Sequence, residues 1–165
     1  MGRVIIGVMG PGEGATPLEM QVAYELGRRI AESGWVLLTG GRNAGVMDAV
    51  NRGAKSAGGL TVGILPGSDR AHLSEAVDIP IVTGIGNARN VINVLSSDVV
   101  IACGMGAGTA SEVAIALKIG KPVVLLKVFQ EGVQFFETLA CGSLFVADNV
   151  DSAMAIVVSL LPDSL

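Results

Sequence analysis

"IACGMGAGTASEVAIALKIGKPVVLL" (Ile101–Leu126) holds, in order, an apolar run, a glycine loop, a segment of helical period and a second apolar run. Both apolar runs are solid rather than alternating, as expected of strands covered on both faces in a parallel sheet. Together they read as one strand–helix–strand unit. Its loop carries Gly104, Gly106 and Gly108, then Thr109, with Glu112 one turn into the helix.

The same grammar runs along the chain. "RVIIGVMG" (3–10) predicts a first strand, and a helix follows from about Thr16, with Pro17 suited to the first helical position. On that helix Leu18, Val22, Leu26 and Ile30 recur at helical spacing, and Gly34 ends it. "WVLLTGG" (35–41) is a second strand, 44–59 a second helix and "LTVGILPG" (60–67) a third strand. "DIPIVTG" (78–84) is a short fourth strand, and 87–97 a helix capped near Gly86 or Asn87. "DVVIACG" and "PVVLL" give the fifth and sixth strands. "GVQFFETLACG" then predicts a helix, "LFVA" a brief strand and "VDSAMAIVVSLL" a closing helix. This alternation defines an α/β, Rossmann-like, doubly wound parallel sheet with helices on both faces. Residues 1–165 are expected to form one domain, with no linker, repeat or low-complexity tract.

Composition narrows the function. Net charge is −4, with one Trp and one Tyr and no basic run, which argues against a nucleic-acid partner. Glycine or a polar residue interrupts every apolar run before membrane-spanning length, so no membrane association is expected. The opening "MGRVIIGVMGPGEG" enters a strand without a small-residue cleavage site, so a cytoplasmic location without a signal peptide is expected. Cys103 and Cys141 lack CxxC spacing and read as free thiols. With His72 as the one histidine there is no tetrahedral donor set, and no residue is assigned to a metal.

In doubly wound sheets ligands sit beyond the carboxyl ends of the strands. Four glycine turns fall there: "GPGEG" (10–14), "GGRNAG" (40–45), "PGSDR" (66–70) and "GMGAG" (104–108). A Walker loop fails, because the one Gly-Lys pair, Gly120-Lys121, is followed by Pro122. NAD is disfavoured, because the second strand ends in Thr39, Gly40, Gly41 and Arg42 instead of an acidic residue. Pyridoxal chemistry needs a buried lysine, whereas Lys55, Lys118, Lys121 and Lys127 read as solvated. What remains is a phosphate-sized anion at the start of the helix after "GMGAGT", drawn by free N–H groups and the helix dipole. Thr109 either caps that helix or offers its hydroxyl to the anion. Glu112 has three roles open to it: completing a T-x-x-E capping box with Thr109, contacting the ligand, or acid–base catalysis. The helix itself is apolar nearly all round, with only Ser111, Glu112 and Lys118 polar after the loop. One face can lie on the sheet, and a second subunit is the natural cover for another, so a homo-oligomer is expected.

"GGRNAGVMDAV", "GILPG", "ARN", "GAGTASE" and "KPVVLL" together resemble the Lonely Guy and "possible lysine decarboxylase" superfamily. The blocks "IIGVMGPG", "WVLLTGGR", "VDIPIVTG", "LSSDVV" and "GMGAGTASEVAIALK" are similar to one branch of it, the molybdenum cofactor carriers, over the chain up to about Leu126. The resemblance implies a dimer-based or tetrameric protein (a dimer of dimers) whose cargo is the molybdenum cofactor, molybdopterin. It would protect this cargo and deliver it to molybdoenzyme apoproteins such as nitrate reductase, the metal travelling on the pterin's own dithiolene sulfurs. The cofactor-binding set is then Gly10, Pro11, Gly40, Gly41, Arg42, Gly45, Met47, Arg89, Gly104, Gly106, Ala107, Gly108, Thr109 and Glu112, with no catalytic residue.

The rival within the superfamily is a cytokinin-type nucleoside 5′-monophosphate phosphoribohydrolase, in which Arg89 and Glu112 would be catalytic. Here the enzymes' PGG reads "GMG", and the residues around the arginine differ. A third class, a ligand sensor or scaffold, would change oligomeric state with a different ligand. Of the remaining residues, Cys103 either approaches the ligand or fills the core, and Met9 and Met47 are core or pocket walls. Asp69 and Arg70 either rim the site or pair across a turn, His72 is a loop residue, and Trp35 packs in the core.

Overall fold

A computed structural model describes residues 2–161. The first half runs β1 (Ile5–Met9), α1 (Pro17–Glu32), β2 (Val36–Thr39), α2 (Gly45–Ser56), β3 (Thr61–Leu65) and β4 (Ile79–Val82). A single 3₁₀ turn, Gly86–Ala88, then leads into α3 (Arg89–Leu95). The second half runs β5 (Val99–Cys103), α4 (Ala107–Lys118), β6 (Val123–Leu126), α5 (Gln130–Leu139), β7 (Leu144–Ala147) and α6 (Val150–Leu160). All seven strands are parallel, in the order β4-β3-β2-β1-β5-β6-β7. The winding reverses between β1 and β5. That reversal opens the crevice in which doubly wound folds bind ligands.

Strand alternation sends side chains to two cores. Ile6, Val8, Ile101, Cys103, Val124 and Leu126 pack under Leu26, Ile30, Val50 and Val157 of α1, α2 and α6. Met9, Val100, Ala102, Val123 and Leu125 pack under Val94, Val113, Ala116 and Phe136 of α3, α4 and α5. Because both faces of the central strands are covered, they contain no polar alternation. α1 and α2 lie unusually close: a Cβ on Gly27 would strike the Val50 carbonyl, and one on Gly53 the Tyr24 carbonyl. Those two glycines set the distance between the helices.

Helix boundaries follow local chemistry. Thr16 caps α1 in a full capping box, Glu19 N donating to Thr16 Oγ1 while Thr16 N donates to Glu19 Oε2, with Pro17 at the first helical position. Of the expected stripe, Leu26 and Ile30 are buried and Val22 is half-buried, but Leu18 is exposed. The start of α3 has no side-chain cap, so neither Gly86 nor Asn87 acts as one; the 3₁₀ turn starts the helix instead. Lys121, expected to be solvated, is half-buried. Its ammonium donates to the Val94, Leu95 and Ser97 carbonyls, closing the open end of α3. Trp35 is half-buried and packs against the first core.

Candidate functional site

A cavity of about 330 Å³ lies beyond the carboxyl ends of β1, β2 and β5, at the point where the winding reverses. The loop after β1 (Gly10 to Gly14), Gly40 and Arg42 after β2, and Met47 on α2 form one side. Arg89 and Asn90 of α3, with Gly106, Ala107, Gly108, Thr109 and Glu112 at the start of α4, form the other.

The first turn of α4 has no side-chain cap. Gly106 is its N-cap and, lacking a side chain, supplies no capping bond, while the first helical bond runs from Ala110 N to the Gly106 carbonyl. The amides of Ala107, Gly108 and Thr109 therefore have no partner within the helix and stand at the positive end of its dipole. The Thr109–Glu112 capping box does not form. Thr109 is the third residue of α4, not its cap, and Glu112 Oε1 instead accepts a bond from Asn93 Nδ2 of α3 at 2.8 Å.

Arg89 adds the second feature. Its Nη1 donates to the carbonyls of Gly40 (2.5 Å) and Ile64 (2.6 Å), tying α3 to the ends of β2 and β3. Its Nε is buried and has no hydrogen-bond partner. Nη2 takes part in no hydrogen bond with the described residues and, unlike Nε, is not closed off, so the guanidinium keeps a donor for an oxyanion. Burial pulls its pKa below the usual arginine value, opposed by the facing Glu112 charge. Burial likewise pushes the Glu112 carboxyl up to about 7, opposed by Asn93 and then Arg89. Arg42, by contrast, is engaged by Glu13 Oε1 at 2.7 Å across the mouth of the pocket.

Eleven of the fourteen expected site residues line the cavity; Gly41, Gly45 and Gly104 do not. Those three shape the loops around it. All have positive φ, and a Cβ on Gly45 would strike the Pro11 and Gly12 carbonyls, while one on Gly104 would strike Glu19. Gly45 lets Val46 N donate to the Pro11 carbonyl, so the start of α2 is closed by the neighbouring loop. Cys103 points to the opposite layer and is not a lining residue; burial there raises its thiol to about 12. Met47 and Met9 do line the cavity, whereas Asp69, Arg70 and His72 do not. Asp69 accepts a bond from Ala71 N within its own turn, and His72 sits at positive φ with its carbonyl accepting from Asn43 N. Asn87, Asn90 and Glu13 are lining residues that reading by motif did not single out. Among the described residues no three His, Cys, Asp or Glu side chains cluster as a metal site.

A parallel sheet with a pocket of open amides and arginine at its winding reversal defines a Rossmann-like protein whose pocket is suited to an anion. More narrowly, residues 3–154 match the SLOG cluster4 family, and the chain belongs to that family. It is 56% identical to the molybdenum cofactor binding protein of Rippkaea orientalis, with a TM-score of 0.95 over 97% of this chain and 98% of that one. It is 54% identical to the molybdenum cofactor carrier protein of Chlamydomonas reinhardtii, with a TM-score of 0.92 over 96% and 98%. It is also 31% identical, over 82% of this chain and 83% of the relative, to the cytokinin riboside 5′-monophosphate phosphoribohydrolase of Mycobacterium tuberculosis.

Proposed function

We propose that this protein binds the molybdenum cofactor as cargo, shields it from oxidation and hands it to molybdoenzyme apoproteins. One observation carries the reading: the open amides of Ala107, Gly108 and Thr109 and the guanidinium-bearing Arg89 line one cavity. The cofactor's terminal phosphate suits the amides, which need no side chain to grip it. Its flat pterin, rich in donors and acceptors, suits the glycine-lined wall from Gly10 to Gly14 and Gly40, where backbone groups are reachable. The likeness to the Rippkaea and Chlamydomonas proteins supports the same ligand. The test is retention. Molybdopterin released from a denatured molybdoenzyme should co-elute with the protein on gel filtration; pterin that elutes alone at micromolar concentration would reject the carrier.

The same reading takes the protein as a cytoplasmic homo-oligomer. No described helix is long and apolar enough to cross a membrane. Val91 and Leu95 of α3, with Ile119 just past α4, are exposed apolar side chains that a second copy would cover.

One observation favours a second reading, the phosphoribohydrolase. Arg89 and Glu112 share the cavity, and a carboxyl near 7 is poised to exchange a proton at neutral pH. Under that reading free base accumulates from AMP or a cytokinin nucleotide, and Glu112→Gln abolishes it. No release by the wild-type protein would end it.

A further inference from the structure

We propose that Asn93 is a positioning residue for the ligand pocket: its amide pins one oxygen of the Glu112 carboxyl to α3 and leaves the other to the ligand. The proposal rests on the pocket reading above and extends it to a residue that does not line the cavity.

Asn93 is 1% exposed, in the middle of α3, four residues after Arg89 and therefore on the same helix face. Its Nδ2 donates to Glu112 Oε1 at 2.8 Å. Its Oδ1 is buried without a partner. Apart from its bond to Glu112, nothing around this position calls for an amide. An unmatched buried carbonyl oxygen is a liability that a leucine of similar size would remove. Among the described residues, the only side-chain bond Asn93 makes is to Glu112, which lines the cavity and whose Oε2 takes no hydrogen bond from any of them. Asn93 thus has one evident use, and it lies in the pocket.

The pin has two consequences. It fixes the carboxyl's rotation about its terminal bond, so Oε2 keeps one direction relative to the open amides of α4. It also favours the ionised form, because an N–H donor stabilises a carboxylate. The charged group facing Glu112 from α3 is Arg89, while Arg42 with its partner Glu13 lies at the mouth of the pocket. From the strand layer the pocket wall is Met9, and the acids of α5, Glu131 and Glu137, are exposed. The proton balance of Glu112 is therefore set by burial on one side and by Asn93 and Arg89 on the other.

The experiment follows the Glu112 carboxyl by ¹³C NMR in glutamate-labelled protein, assigned by the signal lost in Glu112→Gln, alongside melting temperature. Asn93→Leu should melt near the wild-type temperature at pH values where Glu112 is protonated, while the Glu112 midpoint rises by about one pH unit. The pH profile of molybdopterin retention should move with it. Should Asn93→Leu fail to fold, Asn93→Asp is isosteric, and its second carboxyl should raise the midpoint further by sharing a proton. A midpoint that stays within a few tenths of wild type in the folded variant overturns the proposal, as does a lower melting temperature with an unchanged midpoint. The NMR midpoint needs no ligand. Failure to retain molybdopterin would count against the carrier function alone, and an unmoved midpoint against the role of Asn93 alone.

Discussion

Arg89 and Glu112 face one another across the pocket from α3 and α4, yet no ion pair within 4.0 Å joins them. Each has its own anchor instead, the Gly40 and Ile64 carbonyls for Arg89 and the Asn93 amide for Glu112. A direct pair would neutralise both groups. Held apart, they leave an opening between a donor edge and a carboxyl that can change its proton.

That carboxyl makes stability depend on pH. The Glu112 pKa is raised from 4.5 to about 7 by burial, so the folded state holds a proton that the unfolded state releases. Stability from this group is full below about 4.5, declines as pH rises, and is lost above about 7. Glu112→Gln removes the decline and should be more stable than wild type at pH 8, by on the order of 3 kcal/mol. Melting curves from pH 4 to 8 test this; parallel profiles for the two proteins would contradict it.

Arg89 both braces the fold and serves the pocket. Arg89→Lys should keep a bond to one of the two strand-end carbonyls, at a cost of about 1–3 kcal/mol in stability. The lysine has no fork to offer an oxyanion, so molybdopterin retention should fall at least about tenfold. Denaturant titration and ligand titration on the same sample separate the two losses. Retention unchanged in a folded Arg89→Lys protein would remove Arg89 from the site.

Thiol chemistry should distinguish the two cysteines. Cys141 is exposed, and Cys103 is buried with its thiol raised to about 12. A disulfide reagent at pH 8 should titrate one thiol rapidly in the native protein and the second only after unfolding. Rapid loss of both, or fast modification in Cys141→Ser, would place Cys103 nearer solvent than its core position allows.

Lys121 should matter for folding and not for binding. Lys121→Met leaves the three carbonyls at the end of α3 without their ammonium donor, and should cost about 1–3 kcal/mol. Its retention of molybdopterin should match wild type below the melting transition. A lowered affinity in the folded protein would couple the far end of α3 to the pocket.

The legible parts of this molecule were those written locally. Solid apolar strands and intervening helical periods marked the parallel sheet, since covering both faces leaves no other residue type in β5 or β6. The glycine turns marked the ligand edge. Register was harder. T-x-x-E occurs twice, at Thr16–Glu19 and Thr109–Glu112, and only the first is a capping box. Pro17 pins the start of α1, whereas Gly106 lets α4 begin two residues before Thr109 and turns Glu112 toward α3. Pairings between distant segments had no local signal at all. Asn93 with Glu112, Arg89 with the Gly40 carbonyl and Lys121 with the end of α3 depend on which helices share a layer, and motif spacing says nothing of that.

Gly108 offers the most direct test of an anion held by the open amides of α4. It is exposed, its φ is not in the left-handed region, and an added Cβ meets nothing within 4 Å. Gly108→Asp places a negative charge where a helix start welcomes it, so the melting temperature should hold or rise. The same charge stands where the cofactor's phosphate would sit, so molybdopterin affinity measured by equilibrium titration should fall at least about tenfold. Wild-type affinity in a fully folded Gly108→Asp protein would mean that the ligand's charged end is held somewhere else.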